Sequence, residues 1–277
     1  MTQEIASELR RLLPTLPAAQ RRVARVLLAD YPAAGLQTVA KIAERSATSG
    51  PTVLRLLDQL GYQGHPEFHQ ALREELTTQR TSPLTQLNQS AEGPSAAEVL
   101  SSGVARSVAE LSADELRAAS KLLTNPRRSV YATGGRFTDL LADYLIRHLR
   151  ELRPGVRHVA AGDRVPCLLD LHAGDVVVVF DVRRYQRDTQ LFAAEAVNRG
   201  AKLIVVTDPW LSPVATDANV VLPASVQAPS AFDSMVPAMA VVETLIGYVL
   251  AEYSDKAADR LAEFDRLWSL QHGDIDP

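Results

Sequence analysis

Apolar residues recur three and four positions apart near the start of the chain, at Leu9, Leu12 and Leu13 and again at Val23, Val26 and Leu27. That spacing predicts short helices with one buried face, and no strand signal interrupts them, so residues 1–80 are expected to form an all-α domain. The text then turns polar and punctuated, with Thr81-Ser82-Pro83 and Asn88-Gln89-Ser90-Ala91-Glu92-Gly93-Pro94, which predicts a linker over 81–95. Helical spacing returns over 96–123. Short β-branched runs follow at 129–133, 156–159, 175–180, 202–207 and 219–222, separated by helical stretches. Such alternation predicts parallel βαβ units, that is, an open doubly wound α/β sheet of flavodoxin-like class over 96–255. A last helix over 234–253 is apolar on most of its circumference, through Met235, Val236, Met239, Val241, Val242, Leu245, Ile246, Val249 and Leu250. It is expected to lie against the sheet or another subunit, with 256–277 as a helical tail.

The chain has 277 residues, 46% apolar and 22% charged, which suits one large domain or two ordinary ones and excludes a disordered or fibrous protein. Its longest uninterrupted apolar run, Val176 to Phe180, falls far short of the ~18 residues of a membrane-spanning helix, so no membrane partner is expected. Met1-Thr2-Gln3-Glu4-Ile5 carries no leader-like pattern and Cys167 is the single cysteine, which together predict a cytoplasmic protein. Net charge is −4, but the first 80 residues hold ten Lys/Arg against eight Asp/Glu, a head of +2 on a body of −6. A mildly basic head hints at a polyanionic partner.

Residues 38–61 concentrate the chemistry of that head. Thr38 is placed to cap a short helix with Val39, Ile42 and Ala43 inward, and small residues around Ala47 permit a tight turn. Ser49 then caps a second helix that has Pro51 in its first turn and ends at Gly61. Val53, Leu56, Leu57 and Leu60 form its inner stripe, leaving Gly50, Thr52 and Arg55 on the outer N-terminal face. This is the geometry of a helix-turn-helix, whose second helix enters the major groove of double-stranded DNA; there Thr touches a thymine methyl or a phosphate and Arg bonds a guanine edge. Ser49, Gly50, Thr52 and Arg55, with Lys41 and Arg45, are the candidate DNA contacts. An ordinary helical hairpin satisfies the same spacing. Arg10, Arg11, Arg21, Arg22 and Arg25 fit phosphate clamps or a solvated helix face equally well.

The segments Gln20-Arg21-Arg22-Val23-Ala24, Ser49-Gly50-Pro51-Thr52-Val53-Leu54-Arg55 and Leu60-Gly61-Tyr62-Gln63-Gly64-His65-Pro66-Glu67-Phe68 resemble the N-terminal domain of the RpiR/MurR family of bacterial transcription regulators. The departures are His65 at a position usually aromatic and Ser49-Gly50-Pro51-Thr52 for the commoner Ser-Pro-Ala/Gly-Thr. Neither removes the helix cap or Arg55. The resemblance implies operator binding as a dimer, with tetramers left open.

In the α/β half, a ligand is expected beyond the C-terminal ends of the strands where strand order reverses. Gly134, Gly135, Arg136 and Thr138 follow the first strand, and Asp181, Arg183, Arg184 and Tyr185 follow the third. Backbone amides beside glycine and guanidinium groups near a helix start suit a phosphate or carboxylate. Ion pairing of those arginines with Asp181 and Asp188, or contact with a second subunit, is the competing reading. The order of turns over about 95–255 is similar to the SIS (sugar isomerase) domain that RpiR-type regulators carry, whose Gly-x-Gly-x-Ser turn and Ser-x-Ser-Gly-x-Thr loop hold a sugar phosphate. Gly134 and Thr138 match the turn. Asp181 and Arg183 replace the two serines, Arg184 the glycine and Gln186 the threonine. A different anion, larger or carboxylated, and a site given over to subunit contact both remain open.

His65 and His69 lack a third ligand, so no metal is expected, and no cofactor signature is found. Glu243 in the last helix is either a base of isomerase type or a buried carboxylate satisfied by an arginine. The reading reached is an all-α helix-turn-helix domain followed by a SIS-like α/β domain, a regulator rather than an enzyme, responding to a small anionic metabolite. A phosphosugar isomerase with a helical appendage and a plain dimerisation module are the alternatives.

Overall fold

A computed structural model describes residues 5–29, 31–80, 94–253 and 255–273. The chain divides into two compact units, one formed chiefly by the residues up to Pro94, the other by Ser95–Asp208, Ser212–Gln227 and the residues from Ser234 onward. The polar stretch expected as a linker falls outside the described residues, save Pro94 and Ser95, as do residues 274–277 of the expected tail.

The first unit is helical, as its spacing predicts. It comprises α1 (Ile5–Leu12), α2 (Ala18–Ala29), a 3₁₀ turn (Ala33–Leu36), α3 (Val39–Arg45), α4 (Gly50–Gln59) and α5 (His65–Arg80). Leu9, Val23, Leu27, Ile42, Leu56, Leu57, Phe68 and Leu72 are fully enclosed and form one core. Burying each such side chain stabilises the fold by roughly 1.5–3 kcal/mol, far more than the propensities of helices of seven to sixteen residues.

The second unit opens with α6 (Ala96–Glu110) and α7 (Ala113–Thr124). These are two helices where one periodic stretch was expected. Leu111 leaves the helical conformation, and the Ser112 side chain accepts from the Asp114 N–H to start the next helix. The sheet follows as β1 (Val130–Gly134), α8 (Asp139–Leu152), β2 (Val156–His158), α9 (Arg164–Asp170), β3 (Val176–Asp181), α10 (Arg187–Asn198), β4 (Lys202–Thr207) and β5 (Val220–Pro223). Strand order is β2-β1-β3-β4-β5 and every pair is parallel.

Because β1 connects outward to β2 while β3 returns to its other side, the order reverses between β1 and β3. Their register sets Gly134 opposite Phe180. The turns after these two strands therefore emerge side by side. One face of the sheet packs with Leu123, Leu145, Leu149 and Val242, the other with Cys167, Leu171, Phe192 and Ala196. The last helices are α11 (Val236–Glu252) and α12 (Asp255–His272). The apolar α11 buries Val241, Val242, Leu245 and Val249 and packs against α6, α7 and α8 of its own chain.

Candidate functional site

In the first unit, Thr38 occupies the N-cap of α3 and its side chain accepts from the Lys41 N–H at 3.3 Å. The helix stops where Ala47 adopts φ 48°, a left-handed conformation that lets Thr48 N–H reach back to the Ala43 carbonyl at 2.9 Å. Arg22 of α2 donates to the Ser46 and Ala47 carbonyls at 3.3 and 3.2 Å, fastening the turn. The Ser46 hydroxyl donates to the Ile42 carbonyl at 2.7 Å. The turn is therefore held by side chains on both sides.

Ser49 sits at the N-cap of α4 but does not cap a backbone N–H; its hydroxyl is 2.9 Å from the Thr52 hydroxyl. Thr52 is correspondingly only 8% exposed. It does not lie on the outer face expected of it, but is turned inward with its hydroxyl against that of Ser49. Pro51, Leu54, Arg55 and Asp58 make the outer face, with Gly50 half-buried at its edge. Arg55 is exposed and its Nε donates to the Pro51 carbonyl at 3.2 Å. Lys41 is exposed and pairs with Glu44 at 2.9 Å, and Arg45, also exposed, donates to Gln37 Oε1 at 3.2 Å. Of the basic cluster, Arg11 pairs with Glu8 and Arg21 donates to the Leu16 carbonyl at 2.8 Å. A ring nitrogen of His65 is 2.8 Å from the Gln37 carbonyl oxygen. Among the described residues no cluster of His, Cys, Asp and Glu is arranged to hold a metal.

At the switch point of the sheet, Thr138 links the two turns. Its hydroxyl accepts from the Gly135 N–H at 2.7 Å and donates to the Phe180 carbonyl at 2.8 Å. A β-carbon on Gly134 would stand 2.5 Å from Asp139 N and from the Thr138 carbonyl carbon, so only glycine permits this approach of strand and helix. The Gly134 N–H donates to Asp139 Oδ1, which also meets His158 Nε2 at 2.9 Å. Arg136 is exposed, its guanidinium 5.1 Å from the Phe137 ring centre.

The loop after β3 is closed on the protein's own carboxylates. Asp181 is buried, takes a hydrogen bond from the Ser212 hydroxyl, and faces the Gln186 N–H at 3.4 Å. Burial pushes its carboxyl above the usual aspartate range, against those two hydrogen bonds and the Arg164 charge. Arg183, at φ 64° and buried, donates its N–H to Asp208, and the Tyr185 hydroxyl donates to Asp208 Oδ1 at 2.7 Å. Arg184 alone of the loop's arginines is exposed. The structure thus brings Gly134, Gly135, Thr138 and Asp181 together, and leaves Arg136 and Arg184 at the surface.

Three further side chains complete the site. Arg164 of α9 is 5% exposed and donates to the Gly134 carbonyl and the Asp188 carboxylate at 2.8 and 2.7 Å. Asp208 and Ser212, in the turn after β4, anchor the β3 loop. The Thr207-Asp208 doublet directly after an apolar strand was the available signal. Glu243 is neither buried nor paired to arginine: it is exposed and accepts from the Tyr144 hydroxyl.

The helix-turn-helix domain of the rpiR family matches residues 3–79 and the SIS domain matches residues 122–247. Among solved structures, the sugar isomerase domain of an RpiR transcription factor from Sphaerobacter thermophilus is similar at 25% identity and TM-score 0.57, over 62% of this chain and 96% of that one. The Vibrio vulnificus NanR protein, complexed with ManNAc-6P, is similar in fold at 18% identity and TM-score 0.55, over 98% of this chain and the whole of that one. No curated protein matches the chain. The chain thus carries an rpiR-family helix-turn-helix domain in front and a SIS domain behind it, the order of domains of an RpiR-type transcription regulator.

Proposed function

We propose that the protein is a DNA-binding transcription regulator, not an enzyme, whose SIS domain takes a small anionic metabolite and sets the spacing of paired helix-turn-helix heads. The observation that carries this reading is the exposed Arg55 on the outer face of α4, behind a turn fastened by Arg22, in a domain that matches the rpiR family. Ser49, Gly50, Arg55, Lys41 and Arg45 face the duplex, while Thr52 serves to hold Ser49. A single helix-turn-helix reads one half-site, so the working form is at least a homodimer on a two-fold operator. The division into a head at 1–80, a linker at 81–95, an effector and dimerisation domain at 96–255 and a helical tail at 256–277 is part of the same reading. So is a cytoplasmic location, in keeping with the absence, among the described residues, of any helix long and apolar enough to cross a membrane.

The effector is an anion of the sugar-phosphate or carboxylate class. The fold relative NanR is complexed with a phosphorylated sugar. Here Gly134, Gly135 and Thr138 supply the turn, Arg136 and Arg184 the exposed charge, and Asp181, Arg183 and Tyr185 the frame of the facing loop. An effector acts by binding one head spacing better than another. Gel shifts with genomic fragments at two salt concentrations test the reading. Sequence-selective retardation that Arg55→Ala abolishes supports it, and retardation indifferent to sequence and to that change overturns it.

A further inference from the structure

Thr52, the residue whose methyl suited a thymine, is turned into the protein at 8% exposure. Its neighbour two positions on is not. Leu54 is 43% exposed and, among the described residues of α1 to α5, is the one large apolar side chain left on the surface. It lies one turn after Pro51 and beside Arg55 on the outer face of α4, while Val53, Leu56 and Leu57 fill the inner stripe. A solvated helix position ordinarily carries a long polar residue, and none of the described core residues of the first unit covers this one. The 5-methyl of thymine is the one apolar group that a base edge presents in the major groove.

Building on the DNA-binding reading, we propose that Leu54 is a specificity-determining residue that packs on a thymine methyl in each half-site, next to the base or phosphate bonded by Arg55. The contact is apolar, so it discriminates thymine from cytosine and from uracil without adding a hydrogen bond. The change from thymine to uracil removes the methyl and nothing else.

The full-length protein is used to enrich duplexes from a random-sequence pool, and each thymine of the enriched duplex is then replaced in turn by uracil. One thymine per half-site is expected to weaken binding by roughly fourfold on replacement, the equivalent of one buried methyl. Leu54→Ala is expected to weaken binding to the thymine duplex and to make that replacement silent, while Leu54→Met keeps the sensitivity. Leu54 is exposed, so the variants retain the fold, which their thermal transitions verify. Uracil replacement that never affects the native protein, or that affects Leu54→Ala as strongly, overturns the inference while leaving DNA binding intact. Failure to enrich any duplex overturns the DNA-binding reading and this inference with it.

Discussion

Tyr185 donates its hydroxyl proton to Asp208 Oδ1 at 2.7 Å, and the Arg183 N–H bonds the same carboxylate. Together they bind the loop after β3 to the tip of β4. Arg183 is held at φ 64°, where a β-carbon is crowded, so the carboxylate stabilises a backbone shape that the loop does not favour by itself. Asp208→Ala is expected to lower the stability of the α/β domain by about 2–4 kcal/mol, since it leaves a buried N–H unsatisfied and frees the strained turn. Tyr185→Phe is expected to cost only about 1 kcal/mol. Urea midpoints of the two variants check this ranking, and equal losses would show that the carboxylate is not the anchor.

Asp181 gives the same domain a pH dependence. Its carboxyl is raised by burial, so the folded chain holds this proton more tightly than the unfolded one. The associated stability is complete below the usual aspartate range and is lost as pH rises through the higher folded value. In denaturant titrations from acid to neutral pH, the wild-type midpoint is therefore expected to fall relative to that of Asp181→Asn. Parallel curves would refute it.

Gly134 and Gly135 are adjacent but unequal. A β-carbon at Gly134 meets backbone at 2.5 Å, whereas one at Gly135 meets Gln186 Oε1, the end of a flexible side chain, at 2.9 Å. Gly134→Ala is expected to destabilise by about 3 kcal/mol or more, and Gly135→Ala by less than about 1 kcal/mol. Thermal melts of the two variants provide the comparison.

Arg22 and Arg55 allow architecture and the proposed recognition to be tested apart in the head. Arg22→Ala removes the donors to the Ser46 and Ala47 carbonyls and is expected to lower the head's stability by about 1 kcal/mol. Arg55→Ala is expected to leave stability unchanged and to weaken specific duplex binding by about 1–3 kcal/mol. Melting curves alongside gel shifts distinguish the two roles.

Much of the architecture was legible because it rests on local repetition. The β-branched run expected at 175–180 is β3 at Val176–Asp181, and the run at 202–207 is β4 at Lys202–Thr207. The tertiary partnerships were not. Thr52 reads as outward from its place beside Pro51, but is turned inward with its hydroxyl against that of Ser49. Asp208 looks like any acidic residue after a strand until the fold sets the Arg183 N–H against it across 25 residues of chain. Arg164 reaches the Gly134 carbonyl 30 residues away, a pairing that no periodicity encodes. Hydrogen bonds between distant segments are set by topology, and a single sequence carries only their donors and acceptors.

Three arginines of the head are engaged by the protein itself: Arg22 and Arg21 by carbonyls, Arg11 by a glutamate. Each such cation is one fewer to displace an ion condensed on the DNA backbone. Binding should therefore lose only about one order of affinity, per tenfold rise in salt, for each phosphate truly neutralised. Weak, shallow adhesion to random chromosomal sequence follows. Selectivity is then left to the few base edges within reach of the outer face of α4.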